Sequence, residues 1–247
     1  MPKALSKWYT KAFGEFYPIL YPHRDNASAD HEIHQLIKAL HLTGDERVLD
    51  VCCGAGRHLS ALLTQGFNAW GTDLSSLLLK EAANRPETAS RIINADMRWL
   101  PFKNYFHVAL NLFTSFGYFL NDDQNKAALK EMVSVLQPDG LLVLDHINRS
   151  NLQRNLVKKT RERRGEWEVV QRRRIEDNRI IKEITITSRE DFRTRLTENV
   201  RLFYPSEIRE LFETAGLKDV RLFGSFKGEP LDKKAERMIV VGRRKKQ

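Results

Sequence analysis

The sequence predicts an α/β fold: a doubly wound, seven-stranded, mostly parallel sheet with a small antiparallel β-sheet inserted late in the chain. Between about residues 47 and 147, strands that are apolar throughout alternate with helical segments, which is typical of a parallel sheet buried on both faces. After Asn151 the stretches become β-prone with alternating charge, which indicates an antiparallel sheet with one solvated face. The 247 residues and 41% hydrophobic content suit one such domain.

The first part of the chain, residues 1–150, is predicted to hold an N-terminal helical cap and a ligand-binding core. The cap, about Leu5 to Leu42, should form two helical pieces separated by the turn-rich stretch YPHRDNASAD. The core should then alternate as strand RVLDVC, helix RHLSALLTQG, strand FNAWGTD, helix SSLLLKEAANR, strands RIINAD and FHVALNLF, helix NDDQNKAALKEMVSVLQPDG with its Pro-Asp-Gly stop, and strand LLVLDH.

Two further regions follow. Residues 151–204 should form the inserted antiparallel sheet, from EWEVVQRRRIED, RIIKEITITS and FRTRLTENVRLFY. Residues 205–247 should return to the core sheet through the helix PSEIRELFETAGL and the strands KDVRLFGSF and RMIVVGRR, followed by a basic tail.

Charge and cysteine content narrow the function classes. The net charge is +9, but residues 1–150 hold 15 basic and 16 acidic residues, whereas residues 151–247 hold 26 and 16. A basic surface attracts nucleic acid, membrane headgroups or anionic metabolites, and charge alone does not choose among them.

Cys52 and Cys53 are adjacent, which argues against a disulfide framework or a zinc site and favours a reducing cytoplasm. The start of the chain lacks an apolar signal core, and no apolar run approaches the ~20 residues of a membrane span.

The stretch VLDVCCGAGRH lies at the first strand-to-helix turn, where open α/β sheets bind ligands. Gly54 and Gly56 let the backbone approach a ligand, and the helix that follows offers free N–H groups. Asp73 ends the second strand, where a carboxylate can accept from two ribose hydroxyls. Asp96 ends the third strand, where it could accept from an adenine amino group.

Two common phosphate-binding loops do not fit this stretch. A dinucleotide fingerprint needs a third glycine or alanine where Leu59 stands, and Asp50 inside the first strand is a further mismatch. A Walker loop needs Gly-Lys-Ser/Thr, which is absent.

In their order and spacing, VLDVCCGAG, GTDLS and NADMRWLPF resemble the first three motifs of class I S-adenosylmethionine (SAM)-dependent methyltransferases. The stretch SVLQPDGLLVLD before the fifth strand and the final strand pair also resemble that family, so the likeness covers nearly the whole chain. The first motif usually reads Asp/Glu-x-Gly-x-Gly-x-Gly, and this chain departs from it with Cys52 at the first glycine.

The resemblance implies SAM as cofactor and S-adenosylhomocysteine as product. We expect no metal site. Asp50 would orient the loop and the cofactor's amino-acid end, with Tyr17 capping its carboxylate. Asp73 would hold the ribose, Leu74 would pack on adenine, and Asp96 would take its amino group. The cofactor-binding residues implied in this way are Tyr17, Arg24, Asp50, Cys52, Gly54, Ala55, Gly56, Asp73, Leu74, Asp96, Met97, Leu112 and Phe113.

Methyl transfer from a sulfonium is an in-line displacement that needs alignment, exclusion of water and, for some acceptors, a base. Three clusters could supply such groups: Tyr17, Tyr21, His23 and Arg24; Asn111, Thr114, Ser115 and Tyr118; and Asp145 and His146. We expect catalytic roles for His146, Tyr118 and Tyr21. Alternatively, Tyr17 and Tyr21 form a packing pair and His146 is a satisfied polar residue at a strand end.

The sequence NLFTSF, at the end of the fourth strand, narrows the class of methyl acceptor. NLFTSF lacks the Asp/Asn-Pro-Pro-Tyr/Phe of enzymes that methylate DNA adenine or glutamine, and no cysteine follows this strand for cytosine C5 chemistry. The inserted sheet resembles the substrate cover, or lid, of small-molecule enzymes, and its arginines favour an anionic acceptor or form a solvated face.

We therefore expect a cytoplasmic methyltransferase, a monomer or homodimer, that acts on N or O of a small molecule. The alternatives are an RNA (tRNA or rRNA) methyltransferase, favoured by the basic second part, and a non-catalytic SAM-binding partner subunit.

Overall fold

The computed structural model describes residues 7–22, 25–188 and 192–246, and within them the chain forms two sheets flanked by helices. The strands are β1 (Arg47–Val51), β2 (Asn68–Asp73), β3 (Ile92–Asn94), β4 (Phe106–Asn111), β5 (Leu136–Ile147), β6 (Lys159–Arg164), β7 (Trp167–Glu176), β8 (Arg179–Thr187), β9 (Arg193–Arg201), β10 (Leu217–Phe223) and β11 (Arg237–Arg244). The helices are α1 (Tyr9–Ala12), α2 (Tyr17–Leu20), α3 (Asn26–Leu40), α4 (Arg57–Thr64), α5 (Ser76–Ala83), α6 (Asp122–Ser134), α7 (Arg149–Asn155) and α8 (Pro205–Thr214).

Seven strands form the core sheet, in the order β10-β11-β5-β4-β1-β2-β3. Its pairs are parallel except those of β11, which runs antiparallel to both β5 and β10. The strand order reverses between β1 and β4, and ligands of open α/β sheets bind beyond the carboxyl ends of strands at such a point. The predicted doubly wound, seven-stranded, mostly parallel sheet is confirmed.

Alternate residues of the central strands pack on opposite faces of the core sheet. Val48 belongs to the same buried cluster as Leu59 and Leu62 of α4, whereas Leu49 belongs to the cluster on the other face, with Met132 of α6 and Phe212 of α8. Both layers are buried, which explains why β1 is apolar almost throughout. Asp50, near the end of β1, is the exception and lies at the point where the strand order reverses.

The four strands β6–β9 form a separate antiparallel sheet, called the side sheet below. Its β7–β8 hairpin turns at Asp177 and Asn178, whose φ values of 48° and 59° are those that a two-residue hairpin turn requires. The predicted antiparallel insertion is confirmed, with the addition of the edge strand β6, which was not predicted. Its charge-rich sequence KTRERR lacks the apolar alternation by which a strand is recognised.

Two element boundaries differ from the prediction, and one helix was not predicted. The stretch NASAD is helical, because the Asp25 side chain accepts from the Ser28 N–H and starts α3 there. Helix α6 ends at Ser134, and the Pro-Asp-Gly stop lies within β5, where Asp139 adopts a φ of 63°. Helix α7 was not predicted, and the Asn148 side chain caps it by accepting from the Ser150 N–H at 3.1 Å. In the described part of the chain, the helices are too short or too polar to cross a membrane.

Candidate active site

A cavity of about 560 Å³ lies beyond the carboxyl ends of β1 to β4. Its lining comes from described residues of five segments: 9–22 with 25–26, 50–58, 73–85, 95–97 and 112–119. A cavity of this size is typical of a small-molecule site.

The loop after β1 contributes to the cavity lining and contains three residues in the left-handed region. Cys52, Gly54 and Gly56 have φ values of 64°, 56° and 75°. At Gly54, the nearest atom that an added Cβ would meet is Leu78 Cδ1 at 3.7 Å, so the backbone is open to the cavity. Cys52 holds a conformation that favours glycine, which gives a physical reason for the glycine usual at this place.

The second cysteine has a packing role. A Cβ built on Gly71 of β2 would lie 2.7 Å from Cys53 Sγ, so the thiol fills the space that the missing side chain leaves. Burial, with Asp50 and Asp73 nearby, raises the pKa of both thiols well above the usual value. The thiols are therefore un-ionised near neutral pH and poorly suited to nucleophilic or metal chemistry.

Asp50 combines burial with an unsatisfied carboxylate oxygen. Its Oδ2 atom is buried and has no hydrogen-bond partner within residues 7–22, 25–188 and 192–246. Burial raises the pKa of Asp50 to about 6. The negative charge of Asp73 raises this pKa further, whereas His58 and Arg57 lower it. Because Asp50 also lines the cavity, a bound cation would satisfy this oxygen.

Asp73 is fixed at the end of β2 by backbone donors. Its Oδ2 accepts from the Gly54 N–H at 2.8 Å and its Oδ1 from the Ser75 N–H at 2.7 Å. Burial raises the pKa of Asp73 although these bonds oppose the shift. Beside it, Leu74 lines the cavity with 42% of its surface exposed, which leaves an apolar face for a flat ring.

Asp96 lies in the cavity wall, but its carboxylate is engaged by Arg98. The guanidinium donates from Nε to Oδ1 at 3.0 Å and from Nη2 to Oδ2 at 2.6 Å. The Arg98 guanidinium also lies 4.4 Å from the centroid of the Phe119 ring. Any further donor to Asp96, the expected adenine amino group included, must therefore share a carboxylate that is already paired.

The turn after β4 is fixed by the ion pair between Asp145 and Arg237, which joins distant parts of the chain. Phe113 and Thr114 have φ values of 56° and 60°. The Phe113 N–H donates to Asp145 Oδ2 at 2.7 Å, and Arg237 Nε donates to Asp145 Oδ1 at 2.6 Å. Leu112 and Phe113 line the cavity, whereas Asp145 lies beneath the turn, outside it. The role of Arg237, 92 residues away in β11, was not predicted.

Six aromatic side chains form one wall of the cavity, called the aromatic wall below: Tyr9, Phe13, Tyr17, Tyr21, Tyr118 and Phe119. The rings contact one another in sequence, with centroid distances of 5.7 Å for Phe13 and Tyr17 and 5.2 Å for Tyr17 and Tyr21. Phe13 also stacks on Tyr118 at 5.5 Å. The structure thus brings Tyr17, Tyr21 and Tyr118 together, although Tyr118 lies far from the other two in the chain.

The side sheet does not cover the cavity as expected for residues 151–204. No described residue of this range belongs to the lining, and the segment over the cavity is the N-terminal one, residues 9–22 and 25–26. The side sheet lies behind that segment and holds it. Leu20 packs on Val169, Ile184 and Ile186, and Arg164 Nη1 donates to the Leu20 carbonyl at 2.6 Å.

His146 is placed in the core, and its predicted role as a base is therefore corrected. The side chain is fully buried, lies against Phe203 and is absent from the cavity lining. Its Nδ1 lies 3.1 Å from the Ile147 carbonyl, and burial lowers its pKa. The residue pairs with Met238 of β11 within the core sheet, so its ring cannot reach the cavity beyond the sheet edge.

The other predicted residues divide between the cavity and its surroundings. Ala55, Met97 and Ser115 line the cavity. Asn111 is buried behind it and donates to the Val51 carbonyl at 3.1 Å. His23 and Arg24 lie outside the described residues.

Residues 48–140 match the family described as a methyltransferase domain. Among the curated relatives, a glycine/sarcosine N-methyltransferase from Aphanothece halophytica is 30% identical over 145 residues, which cover 57% of this chain and 54% of that protein. This chain thus spans about half the length of that relative.

Solved structures match over nearly the whole chain. An S-adenosylmethionine-dependent methyltransferase from Clostridium acetobutylicum has a TM-score of 0.79 at 19% identity, covering 96% of this chain and 99% of that one. CalS10, an amino pentose methyltransferase from Micromonospora echinaspora with SAM bound, has a TM-score of 0.69 at 22% identity, covering 94% and 97%. At these identities the similarity establishes the fold.

Proposed function

We propose that this chain, whose residues 48–140 match a methyltransferase domain and whose fold is that of a solved SAM-dependent methyltransferase, methylates the nitrogen of a small-molecule amine. The observation that carries the proposal is a single cavity that joins the unpartnered Asp50 carboxylate oxygen to the aromatic wall. We call the part lined by the loops after β1, β2 and β3 the cofactor end, and the part lined by the aromatic wall the acceptor end.

The residues of the cofactor end fit SAM. Asp50 offers a buried carboxylate oxygen to the cofactor's ammonium, and Gly54 leaves the loop backbone open. Asp73 offers its carboxylate to the ribose, and Leu74 an apolar face to the adenine. The bound cofactor supplies a methyl group on a positively charged sulfur, which is open to attack by a nucleophile.

The acceptor end favours an amine. Aromatic faces attract cations, and an aliphatic amine reaches the protein mostly as an ammonium ion. The N-terminal segment that carries four rings of the wall also lies over the cavity, where it keeps water from the reacting groups. The glycine/sarcosine enzyme and the amino pentose enzyme named above both act on amine-bearing compounds, which supports the same class here.

An anionic group on the acceptor is also part of the proposal. Arg57 and Arg85 line the cavity and bring two positive charges to its rim. Arg57 donates to the Asp25 carbonyl and Arg85 to Asn26 Oδ1, both at 2.9 Å, which fixes the guanidinium groups beside the N-terminal segment. A carboxylate or phosphate of a bound ligand, either the cofactor's own carboxylate or an anionic group of the acceptor, would be attracted to this rim.

The RNA alternative has less support, because ion pairs neutralise several arginines of the basic side sheet. Arg161 pairs with Glu168 at 2.8 Å, and Arg174 pairs with Glu183 at 2.6 Å. These pairs reduce the positive surface that phosphates would meet. A strong loss of RNA affinity with added salt would revive this alternative.

The proposal is tested by transfer of radiolabelled methyl from SAM into a bacterial extract, divided into a small-molecule filtrate and a polymer fraction. We expect label in the filtrate, on a compound that a cation exchanger retains. Label that nuclease treatment removes would support the RNA alternative. Binding of S-adenosylhomocysteine with no transfer to any fraction would support the non-catalytic partner subunit.

A further inference from the structure

Two adjacent strands of the side sheet each place one charged residue on their apolar face. In β8, Lys182 interrupts the row that contains Ile180 and Ile184, and in β9, Glu198 interrupts the row that contains Val200. Lys182 and Glu198 are direct cross-strand partners, with Nζ 3.2 Å from Oε2. Their side chains are only 12% and 15% exposed. Charges are costly on such a face, so their paired position indicates a use.

The pair meets the aromatic wall at Tyr21. Lys182 Nζ donates to the Tyr21 hydroxyl at 2.6 Å, and that hydroxyl donates to Glu198 Oε1. Tyr21 lines the cavity, whereas Lys182 and Glu198 lie behind it. A phenol oxygen has lone pairs for more than one donor, so Tyr21 can accept from a ligand while it donates to Glu198.

Other charged groups around the pair belong to β6 and β7. Arg173 of β7 stands opposite Lys182, and its guanidinium bonds to Gln171 and to Thr160 Oγ1. Arg164 of β6 bonds to the carbonyl of Leu20, next to Tyr21 in the chain, and to Glu162. Lys182 pairs with Glu198, and the Tyr21 hydroxyl donates directly to the same carboxylate.

We propose that Tyr21 and Glu198 together remove the proton of the acceptor ammonium before methyl transfer. The N–H bond of the ammonium breaks and its proton bonds to the Tyr21 oxygen, while the Tyr21 proton moves to Glu198 Oε1. The nitrogen keeps the electron pair, Tyr21 stays neutral, and Glu198 becomes a carboxylic acid that returns the proton to water at its exposed edge. This step rests on the proposed function, because it needs an amine acceptor.

The proposal has a kinetic consequence. An ammonium nitrogen has no lone pair, so a protein without a proton acceptor can use only the small neutral fraction of an amine near neutral pH. A protein that removes the proton inside the cavity can use the abundant ammonium form. The two cases differ in how kcat/KM changes with pH.

The experiment measures kcat/KM from about pH 7 to pH 9 with an amine that the wild type methylates, chosen from a panel that includes glycine, sarcosine and an amino-sugar nucleotide. We expect the wild-type profile to be nearly flat. For Glu198→Gln, we expect a loss of about 100-fold at pH 7 and a rise of about tenfold per pH unit towards the pKa of the amine. Tyr21→Phe should give the same slope, and the double variant should be no worse than either single variant.

A matched control is Glu183→Gln, which changes a glutamate on the solvent face of β8 that pairs with Arg174. The pH profile of kcat/KM for this variant should follow that of the wild type. The affinity for S-adenosylhomocysteine and the thermal unfolding midpoint of each variant establish that it is folded. Tyr21→Phe removes only one oxygen and keeps the test valid if Glu198→Gln does not fold.

The outcomes separate the two proposals. Wild-type amine methylation with parallel profiles for the wild type, Glu198→Gln and Tyr21→Phe would overturn the proton transfer and leave the proposed function intact. Wild-type methylation of an oxygen or of RNA, with no amine of the panel labelled, would overturn both.

Discussion

At the cofactor end of the cavity, contacts join residues close in the chain, whereas the acceptor end depends on contacts across most of its length. The bond from the Gly54 N–H to Asp73 spans 19 residues, and that from the Tyr21 hydroxyl to Glu198 spans 177. The first belongs to one strand–helix–strand unit, whose geometry is nearly fixed once the strands pair. The second requires the inserted side sheet to fold against the first helices of the chain. Cofactor binding and acceptor handling should therefore be separable by mutation.

Outside the Tyr21–Glu198 pair, the largest selective effect is expected for Leu20→Ala. Leu20 is 1% exposed between α2 and the side sheet, and truncation of such a side chain costs about 2–5 kcal/mol. Loss of this docking should lower kcat/KM for the acceptor by more than about tenfold, with a smaller change in S-adenosylhomocysteine affinity measured by calorimetry. Leu62→Ala in α4 is the matched control, because Leu62 is equally buried and belongs to a core cluster that contains none of the six residues of the aromatic wall. Equal effects of both variants on both readouts would show that the two ends are not separable.

Asp73→Ala should affect the cofactor end more than the acceptor end. Removal of this carboxylate leaves the ribose hydroxyls and the Gly54 N–H without an acceptor, at a cost of about 1–3 kcal/mol. Calorimetric titration should show S-adenosylhomocysteine binding weakened by that amount. The exposed Asp123→Ala serves as control, and an unchanged affinity for Asp73→Ala would exclude its ribose role.

Cofactor binding should depend on pH through Asp50. Burial raises the pKa of this carboxyl to about 6, and an ammonium ion bound beside it would lower that pKa again. The ionised form therefore binds the cofactor, and affinity should fall as the pH drops below about 6, by up to about tenfold per pH unit. Titration in buffers of different ionisation enthalpy should also show proton release on binding near pH 6. A pH-independent affinity in the wild type, equal to that of Asp50→Asn, would contradict the pairing.

The smallest effect is expected for Cys52→Gly. Cys52 has a φ of 64°, and a left-handed backbone costs a non-glycine residue about 1 kcal/mol. Replacement by glycine should relieve this strain and leave S-adenosylhomocysteine affinity unchanged or slightly stronger. Urea unfolding should show a gain of up to about 1 kcal/mol, reduced by the greater freedom of glycine in the unfolded chain. A loss of more than about 2 kcal/mol would mean that the thiol contributes packing that outweighs the strain.

The difference between short-range contacts at the cofactor end and long-range contacts at the acceptor end also determines what could be predicted from the sequence. The core sheet and its first loop follow from apolar strands, glycine positions and strand-end carboxylates, all of which act over short spacings. The Asp145–Arg237 pair and the attachment of Leu20 to the side sheet could not be predicted, because no local pattern encodes which distant elements meet. His146 was misassigned for a related reason: the sequence places it near a strand end, but its side chain is enclosed where β5 pairs with β11.

One feature of the acceptor end did leave a signal in the sequence. In RIIKEITIT and RTRLTENVR, Lys182 and Glu198 stand at positions where the alternation of an antiparallel sheet predicts apolar residues. Such interruptions mark a charge turned towards the interior. The partner of that charge, Tyr21, becomes visible only when the side sheet is placed against α2.

The most direct test of amine methylation is transfer from SAM labelled with ¹³C at its methyl group, followed by NMR of the product. The carbon and attached-proton shifts distinguish a methyl on nitrogen from one on oxygen, even when the acceptor has not been identified. We expect an N-methyl signal in the small-molecule fraction that is absent without the protein. An O-methyl signal, or label confined to nucleic acid, would contradict the assignment of an amine acceptor.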